Sequence, residues 1–303
     1  MPAESEAHPG QSEGEQGRIL RWLHRDNDRV WGTDPGVLDP ELVRRTLARA
    51  ERLFRPGGYF ATDLRGWENV PPGPAMLVSN HSGGTTIPDV WGLAVGWYQH
   101  FSGYDRPIHA VAHEVILSTN ATGSYFSRLG VVRGNRSVAM DVLTRWKRDL
   151  LVMPGGDQDA WRPHRDRYRV RFSGRIGYAR TAIRAQVPIV PVANAGAHDT
   201  LMVLTDGRRF ARALHFKELF RAEIFPIHLS LPWGLGIGPW PHLPTPTKLR
   251  YRFGPAIHPP LWASADDPPE EVVREHDGRV RAAVQLLLDG LREERVSAPT
   301  MKG

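Results

Sequence analysis

The sequence contains no cysteine among its 303 residues. This absence excludes disulfide bonds, thiolate-bound zinc and a cysteine nucleophile, while the redox compartment stays open. Lysine is scarce too, since its only positions are Lys147, Lys217, Lys248 and Lys302, so arginine dominates the basic side of a net charge of +6. Arginine binds phosphate and carboxylate through a planar, bidentate fork. The composition therefore favours an anionic partner, and nucleic acid, an anionic membrane surface and a phosphorylated cofactor all fit it.

Long apolar runs are missing as well. A membrane-spanning helix needs about 18 or more consecutive apolar residues, and charges, proline or glycine interrupt every candidate here. No transmembrane helix is therefore predicted. Residues 1–17 are polar and acidic without an apolar core, which is unlike a signal peptide, and we expect them to form a disordered tail.

Hydrophobic periodicity divides the rest of the chain into two parts. Residues 18–58 are predicted to hold amphipathic helices at 19–31 and 40–54, as an N-terminal helical extension. From residue 59 to residue 303, short apolar runs alternate with helical patterns, which predicts an α/β fold with a central mixed sheet flanked by helices. The predicted strands are residues 75–79, 108–111, 150–153, 187–192 and, half-exposed, 249–253.

Several helix starts and one loop can also be predicted. Ser137 and Ser173 each precede apolar residues at helical spacing, and Pro268-Pro269 opens a long helix. That last helix has an apolar stripe formed by Val273, Val280, Val284, Leu287 and Leu291. Residues 224–246 are apolar but broken by proline and glycine, and we expect a surface loop or lid. Its tryptophans fit a membrane interface and a packed core loop equally.

One predicted strand ends in a histidine within a glycine-containing turn. Residues 77–84 (Leu-Val-Ser-Asn-His-Ser-Gly-Gly) leave the strand, and Asp89 follows at the start of the next helix. α/β folds place active sites at such strand ends. His81 there can accept a proton from a hydroxyl group, while Asp89 can hold the other ring nitrogen in the required tautomer. A satisfied strand-end histidine, with Asp89 capping the helix, is the alternative interpretation.

Two further segments combine glycine with charge. Arg133 and Arg136 lie beside a predicted helix start, where a guanidinium group and free backbone amides can bind an anion. Gly155 and Gly156 follow another strand, and adjacent glycines let backbone amides approach a charged oxygen closely. Solvated arginines and a simple tight turn are the alternatives.

These segments together resemble the lysophospholipid acyltransferase superfamily, in its monoacylglycerol and diacylglycerol acyltransferase-like branch. The run Asn-His-Ser-Gly-Gly at residues 80–84 is similar to a block of that branch. Thr86 stands where the superfamily usually has aspartate, so the pairing of His81 with Asp89 is implied by the branch with the longer spacing. The resemblance also implies that Gly83 and Gly84 shape a substrate-binding turn.

The resemblance covers roughly residues 59–257 and assigns the other segments as well. It implies that Arg136, with Arg133 beside it, binds an acceptor phosphate or the acyl donor. Residues 154–160 are similar to the branch's Pro-Gly-Gly block, with Asp159 in place of the usual glutamate, and Arg175 also matches the branch. Both are predicted to bind substrate. Residues 186–192 are similar to the final block, where Pro188 and Pro191 favour an edge or strand-end position.

The implied fold is glycerolipid-acyltransferase-like, which makes residues 59–303 an acyltransferase catalytic domain. The implied reaction moves a fatty acyl group from acyl-CoA, or acyl carrier protein, to the hydroxyl of a glycerolipid acceptor, which is lysophosphatidic acid or a mono- or diacylglycerol. His81 would act as general base without a covalent intermediate. The resemblance implies no permanently bound cofactor, no metal, and a cytoplasmic enzyme held peripherally at the inner face of the membrane.

Residues 162–171 are rich in arginine. If this segment is extended, Arg167, Arg169 and Arg171 share one face and form a ridge for coenzyme A phosphates or anionic head groups, or else a solvated face. Two other functions stay open. A lipid esterase is disfavoured because no Gly-x-Ser-x-Gly motif occurs, and no nucleic-acid partner is expected because the basic charge lacks a recognised nucleic-acid motif. A basic module that binds anionic lipid or nucleic acid without turnover is the remaining alternative.

Overall fold

The structure is a computed structural model that describes residues 31–101, 105–208, 224–232, 234–239, 242–264 and 266–297. The predicted 1–17 tail and nearly all of the predicted helix at 19–31 lie outside these residues. The described strands are β1 (Phe60–Arg65), β2 (Met76–Ser79), β3 (Ile108–Ala112), β4 (Val131–Arg133), β5 (Asp149–Val152), β6 (Ile189–Ala195), β7 (Met202–Thr205), β8 (Ile227–Ser230), β9 (Gly234–Ile237) and β10 (Thr247–Phe253). The described helices are α1 (Pro40–Phe54), α2 (Pro88–His100), α3 (Asn120–Arg128), α4 (Arg136–Met140), α5 (Gly156–Ala160), α6 (Gly177–Ala185) and α7 (Glu270–Ser297).

A seven-stranded sheet forms the centre of the fold, in the order β1-β10-β6-β2-β5-β3-β4. Its neighbouring strands are parallel, apart from the antiparallel pair of β10 and β6. The predicted α/β fold with a central mixed sheet flanked by helices is thus confirmed. Parallel strands bury both faces, which explains why β2 and β6 are continuous buried runs rather than alternating ones.

Helices cover both faces of this sheet. Side chains of β2 alternate between two cores: Met76 packs with residues of α4, α6 and α7, whereas Leu77 packs with residues of α1 and α2. The predicted helix at 40–54 is present as α1 and buries Val43 and Leu47. Its first turn is stabilised by Asp39, whose side chain accepts hydrogen bonds from two backbone amides of that turn.

The predicted strands lie within a few residues of β2, β3, β5, β6 and β10, while β1, β4 and β7 were not predicted. The edge or strand-end position expected from the two prolines fits Pro188, which directly precedes β6, but is wrong for Pro191. β6 lies inside the sheet between β10 and β2, and Pro191 pairs with Val78. Proline lacks only the donor, so the Pro191 carbonyl still accepts a hydrogen bond from the Gly254 amide at 2.8 Å.

Two predicted helix starts are displaced. Asn135 rather than Ser137 caps α4, because its side-chain oxygen accepts a hydrogen bond from the Ser137 amide at 2.8 Å. A π-helical turn, Asp141–Arg145, continues that helix. Ser173 adopts a left-handed backbone conformation with φ of 54°, which is incompatible with a helix start, and α6 begins later. The prediction for α7 is confirmed, since Val273, Val280, Val284 and Leu291 are buried along it, while Leu287 is partly buried against the same core.

The loop predicted for residues 224–246 is wrong, because this segment contributes two strands of a second sheet. β7, β8 and β9 pair antiparallel in that order. Residues along these strands alternate in burial: His228 and Gly236 are buried, while Leu229 and Leu235 are exposed. In the described part of the chain, no helix combines the length and apolar character needed to cross a membrane.

Candidate active site

The turn that carries His81 is held in place by hydrogen bonds to β6. Asn80 and Asn194 exchange hydrogen bonds: the Asn80 amide group donates to the Asn194 carbonyl at 2.9 Å, and the Asn194 backbone amide donates to Asn80 Oδ1 at 2.9 Å. The Ser82 hydroxyl donates to Asn194 Oδ1 at 3.0 Å. All three side chains are buried. Sequence reasoning missed Asn194, although Asn80 beside the histidine was a signal that the turn needs a polar partner.

The structure brings the predicted pair together. His81 Nδ1 lies 2.8 Å from Asp89 Oδ2, and Asp89 is fully buried at the start of α2. The same Oδ2 accepts a hydrogen bond from the Ser82 amide at 2.7 Å, and Oδ1 accepts one from the Val90 amide at 2.9 Å. Because both oxygens of Asp89 accept hydrogen bonds from these amides, we infer that His81 donates its Nδ1 proton to Asp89. The Nε2 lone pair is then left available to a substrate.

Gly83 and Gly84 make this pairing possible. Their backbones adopt positive φ values of 98° and 63°, which fold the turn back toward the histidine. A Cβ atom on Gly83 would lie only 2.6 Å from Pro88 Cδ, so a side chain there would push α2 away. The turn therefore returns Asp89 to the imidazole despite the long spacing in sequence.

Asp159 lies directly behind His81. Its Oδ2 accepts a hydrogen bond from the His81 backbone amide at 2.6 Å, and its Oδ1 binds Arg162 Nη1. Both side chains are fully buried. Because Asp159 has no exposed surface, the predicted direct contact with substrate is replaced by a contact that positions the His81 backbone.

Arg162, which sequence reasoning did not single out, is enclosed by the arginine-rich segment. Its guanidinium donates to the Arg169 carbonyl at 2.5 Å and to the Arg167 carbonyl at 3.2 Å. Arg171 binds Asp166 at 2.6 Å and Asp206 at 3.4 Å. The ridge predicted from an extended segment is therefore wrong, because the chain curves so that its carbonyls can meet a buried charge.

The carboxylates next to His81 determine its protonation. Burial lowers the pKa of His81, but the negative charges of Asp89 and Asp159 raise it by more, so the pKa lies above the ordinary value of 6.5. A ring with a raised pKa is a stronger base than an ordinary histidine, and it loses that ability when acid protonates it.

The Pro-Gly-Gly turn after β5 is held by Arg175. Its Nη1 donates to the carbonyls of Pro154 and Gly155, each at 3.3 Å. A Cβ atom on Gly156 would lie 2.4 Å from the same nitrogen, so only glycine lets the guanidinium approach. The Gly156 amide donates to the Met153 carbonyl at 3.1 Å, which contradicts its predicted availability to an oxyanion. Gly156 and Arg175 still line the cavity beside His81, whereas Gly155 does not.

Arg133 and Arg136 lie on the opposite wall. Arg133 Nε donates to the Trp31 carbonyl at 2.7 Å, and its side chain is mostly buried. Arg136 lies at the start of α4, where Nη1 donates to Asp267 Oδ2 at 2.7 Å. Both arginines line the cavity that also contains His81. Asp267 is thus a direct neighbour of the predicted anion-binding residue.

A cavity of about 1250 Å³ runs past the carboxyl ends of β2, β3, β4 and β5. Because these strands are parallel, their ends meet at one edge of the sheet. One part of the lining is apolar and includes Val43, Leu47, Leu93, Trp97, Ile108, Phe126, Leu129 and Met153. Another part is basic and includes Arg133, Arg136, Arg175 and Arg180. Among the described residues, no group of three His, Cys, Asp or Glu side chains is placed to hold a metal ion.

Comparison with known proteins gives this site a family. An acyltransferase family model matches residues 61–195, which include His81, Asp89 and Asp159. A protein of Mycobacterium tuberculosis, described as uncharacterized, is 29% identical over 265 residues, or 85% of this chain and 69% of its own. A chicken protein named "DGAT1/2-independent enzyme synthesizing storage lipids" is 27% identical over 56% of this chain and 48% of its own.

Among solved structures, the 1-acyl-sn-glycerophosphate acyltransferase PlsC of Thermotoga maritima is similar at a TM-score of 0.46, with 16% identity. That similarity covers 82% of this chain and 77% of the other. The match to the family model, which spans the histidine turn and the two carboxylates behind it, makes residues 61–195 a domain of the acyltransferase family.

Proposed function

We propose that this acyltransferase transfers a fatty acyl group from an acyl thioester, of coenzyme A or of acyl carrier protein, to the hydroxyl of a glycerolipid. The observation that carries the proposal is the His81–Asp89 pair at 2.8 Å, on a turn whose histidine lines a large, mostly apolar cavity. A base next to apolar space suits a reaction in which both substrates carry long hydrocarbon chains.

The proposed reaction is one displacement at the thioester carbonyl. His81 Nε2 accepts the proton of the acceptor hydroxyl as that oxygen attacks the carbonyl carbon. The C–S bond of the tetrahedral intermediate then breaks, and the imidazolium returns the proton to the leaving thiolate. Asp89 stabilises the imidazolium between the two transfers, because its carboxylate is buried and fixed by two backbone amides.

No covalent acyl-enzyme is needed. Ser82, the hydroxyl next to His81 in sequence, is fully buried and donates its proton to Asn194 Oδ1 at 3.0 Å. A nucleophilic serine must instead be accessible and bonded to its base. This arrangement supports direct transfer and disfavours a serine esterase.

The two parts of the cavity lining fit two parts of the substrates. The volume of about 1250 Å³ exceeds the roughly 300–1,000 Å³ of sites for drug-sized ligands, as an acyl chain with a head group requires. Arg133, Arg136, Arg175 and Arg180 offer guanidinium groups to phosphates of coenzyme A, of a carrier protein's prosthetic arm or of lysophosphatidic acid. A mono- or diacylglycerol would use the apolar part alone.

The test is thiol release from a long-chain acyl-CoA by the purified full-length protein, with and without glycerolipid acceptors, for wild type and His81→Gln. We expect release that depends on an acceptor, and a loss of about 10²-fold to 10⁴-fold in kcat for the variant. Asp63→Asn is the control, since Asp63 pairs with Arg65 and Arg252 on the edge strand β1, which β10 and β6 separate from β2. Release that is independent of acceptor, or a folded His81→Gln protein with full activity, would contradict the proposal.

A further inference from the structure

The second sheet exposes an apolar face. Met202, Leu204, Leu229, Leu235 and Ile237 point outward from β7, β8 and β9, and we call these five residues the outer face. Each is between 43% and 61% exposed. Cross-strand pairing places Met202, Leu229 and Leu235 side by side in one row, so the exposed side chains are contiguous. A contiguous exposed apolar patch marks an interaction surface.

The opposite face of this sheet is attached to the active site. Val203, His228 and Gly236 form the matching inner row and are buried. The His228 ring lies 5.2 Å from the ring of Trp161, which lines the cavity. The second sheet and Trp161 therefore lie between a partner bound to the outer face and the cavity that contains His81.

The border of the outer face is basic. The turn at His164–Asp166 packs against β7, and it brings Arg165 and, after it, Arg169, whose side chains are 81% and 78% exposed. Their contacts with Asp166 are loose, at 3.9 and 3.8 Å, because Arg171 binds the same carboxylate at 2.6 Å. Both guanidinium groups are therefore open to an anionic surface beside the apolar patch.

We propose that the outer face is the docking surface for an anionic lipid bilayer. An apolar patch bordered by arginine is the combination that binds membrane interfaces, since apolar side chains enter the acyl region while guanidinium groups meet lipid phosphates. The choice of a bilayer as occupant rests on the proposed function, which needs a lipid acceptor.

Vesicle flotation tests this surface with the full-length protein. The double variant Leu229→Ser/Leu235→Ser removes the centre of the exposed row, and Leu286→Ser, on a side chain of α7 that is 73% exposed, is the matched control. We expect wild type and Leu286→Ser to bind vesicles of phosphatidylglycerol and phosphatidylcholine, and the double variant to bind at least about tenfold more weakly. Arg165→Gln/Arg169→Gln should reduce binding to these vesicles and make the remainder less sensitive to salt.

Three results would overturn the proposal. The first is a double variant that is folded by circular dichroism and binds vesicles as well as wild type does. The second is a wild-type protein that binds no vesicle. The third is a dimer, seen by light scattering, that Leu229→Ser/Leu235→Ser dissociates. The proposed function is tested separately, with short-chain lysophosphatidic acid and short-chain monoacylglycerol, each dissolved below its aggregation limit. Absent turnover with both acceptors contradicts the reaction, while flotation still decides the docking surface.

Discussion

Asp89 determines which nitrogen of His81 carries the proton, and an amide in its place would change that. We expect Asp89→Asn to lower kcat by about 10²-fold or more, because an asparagine amide can donate to Nδ1 and leave the proton on Nε2. Loss of the carboxylate also removes the largest influence that raises the pKa of His81. The acidic limb of the kcat/KM profile should lie above pH 6.5 in wild type and move to lower pH in the variant. If the acidic limb does not move, Asp89 does not control the pKa of the group that titrates.

The sequence predicted His81 and Asp89 because both lie at element boundaries, where chemistry-bearing residues are visible next to a strand or a helix. Their contact depends on Gly83 and Gly84, whose positive φ values the sequence only suggested. Asp159 could not be placed in the same way. Its role behind His81 depends on Arg162, and a buried ion pair between residues three apart has no sequence pattern that distinguishes it from an exposed one.

At the scale of single elements, β3 contains a histidine that links its stability to pH. His109 is fully buried, with Nδ1 donating to the Gly130 carbonyl at 3.0 Å and Nε2 accepting from Arg148 at 3.3 Å. Burial and the Arg148 guanidinium lower its pKa to about 4. The unfolded chain binds this proton below about pH 6.5, so acid favours unfolding in the window from about pH 6.5 to about pH 4.

We expect the free energy of unfolding of wild type to fall between pH 7 and pH 5, with His109 contributing about 2 kcal/mol of that fall. His109→Gln keeps a donor and an acceptor but does not titrate, so its fall should be smaller by that amount. Urea unfolding of both proteins at the two pH values measures the difference. Equal falls in the two proteins would show that His109 is not responsible.

Elements were predicted well where burial produces an uninterrupted apolar run, as in β2 and β5. β1 and β4 were not predicted from the sequence, for different reasons. β1 is an edge strand in which Asp63 and Arg65 form an ion pair, so its composition is typical of a surface segment. β4 has only three residues, fewer than a periodicity can show. β8 and β9 were mistaken for a loop because glycine and proline outweighed the alternation that Leu229 and Leu235 carry.

At the scale of the whole molecule, the segment before α7 brings a carboxylate to two of the arginines that line the cavity. Asp267 binds Arg136 of α4 together with Arg180 and Arg184 of α6. Those guanidinium groups hold the pKa of the Asp267 carboxyl well below its usual range, so it stays ionised and neutralises part of the charge that a substrate phosphate would meet.

Asp267→Asn should therefore strengthen the binding of anionic substrates. We expect the KM for a phosphate-bearing acceptor or donor to fall by about threefold to tenfold at low salt, with little change for a neutral acceptor. Asp266→Asn is the neighbouring control, because Asp266 contacts Ser264 instead of the arginines. Equal KM values for wild type and Asp267→Asn would assign Asp267 a structural role only.

Tyr251 connects the order of the strands in the sheet to the support of Asp89. The Tyr251 hydroxyl donates to the Asp89 carbonyl at 2.9 Å, and Gly92 leaves room for it, since a Cβ atom there would lie 2.4 Å from that oxygen. Tyr251 belongs to β10, the last of the described strands, which inserts between β6 and the first described strand, β1. His81 and Asp89 therefore leave the ribosome long before Tyr251, and we expect their contact to reach its final geometry only after β10 has joined the sheet.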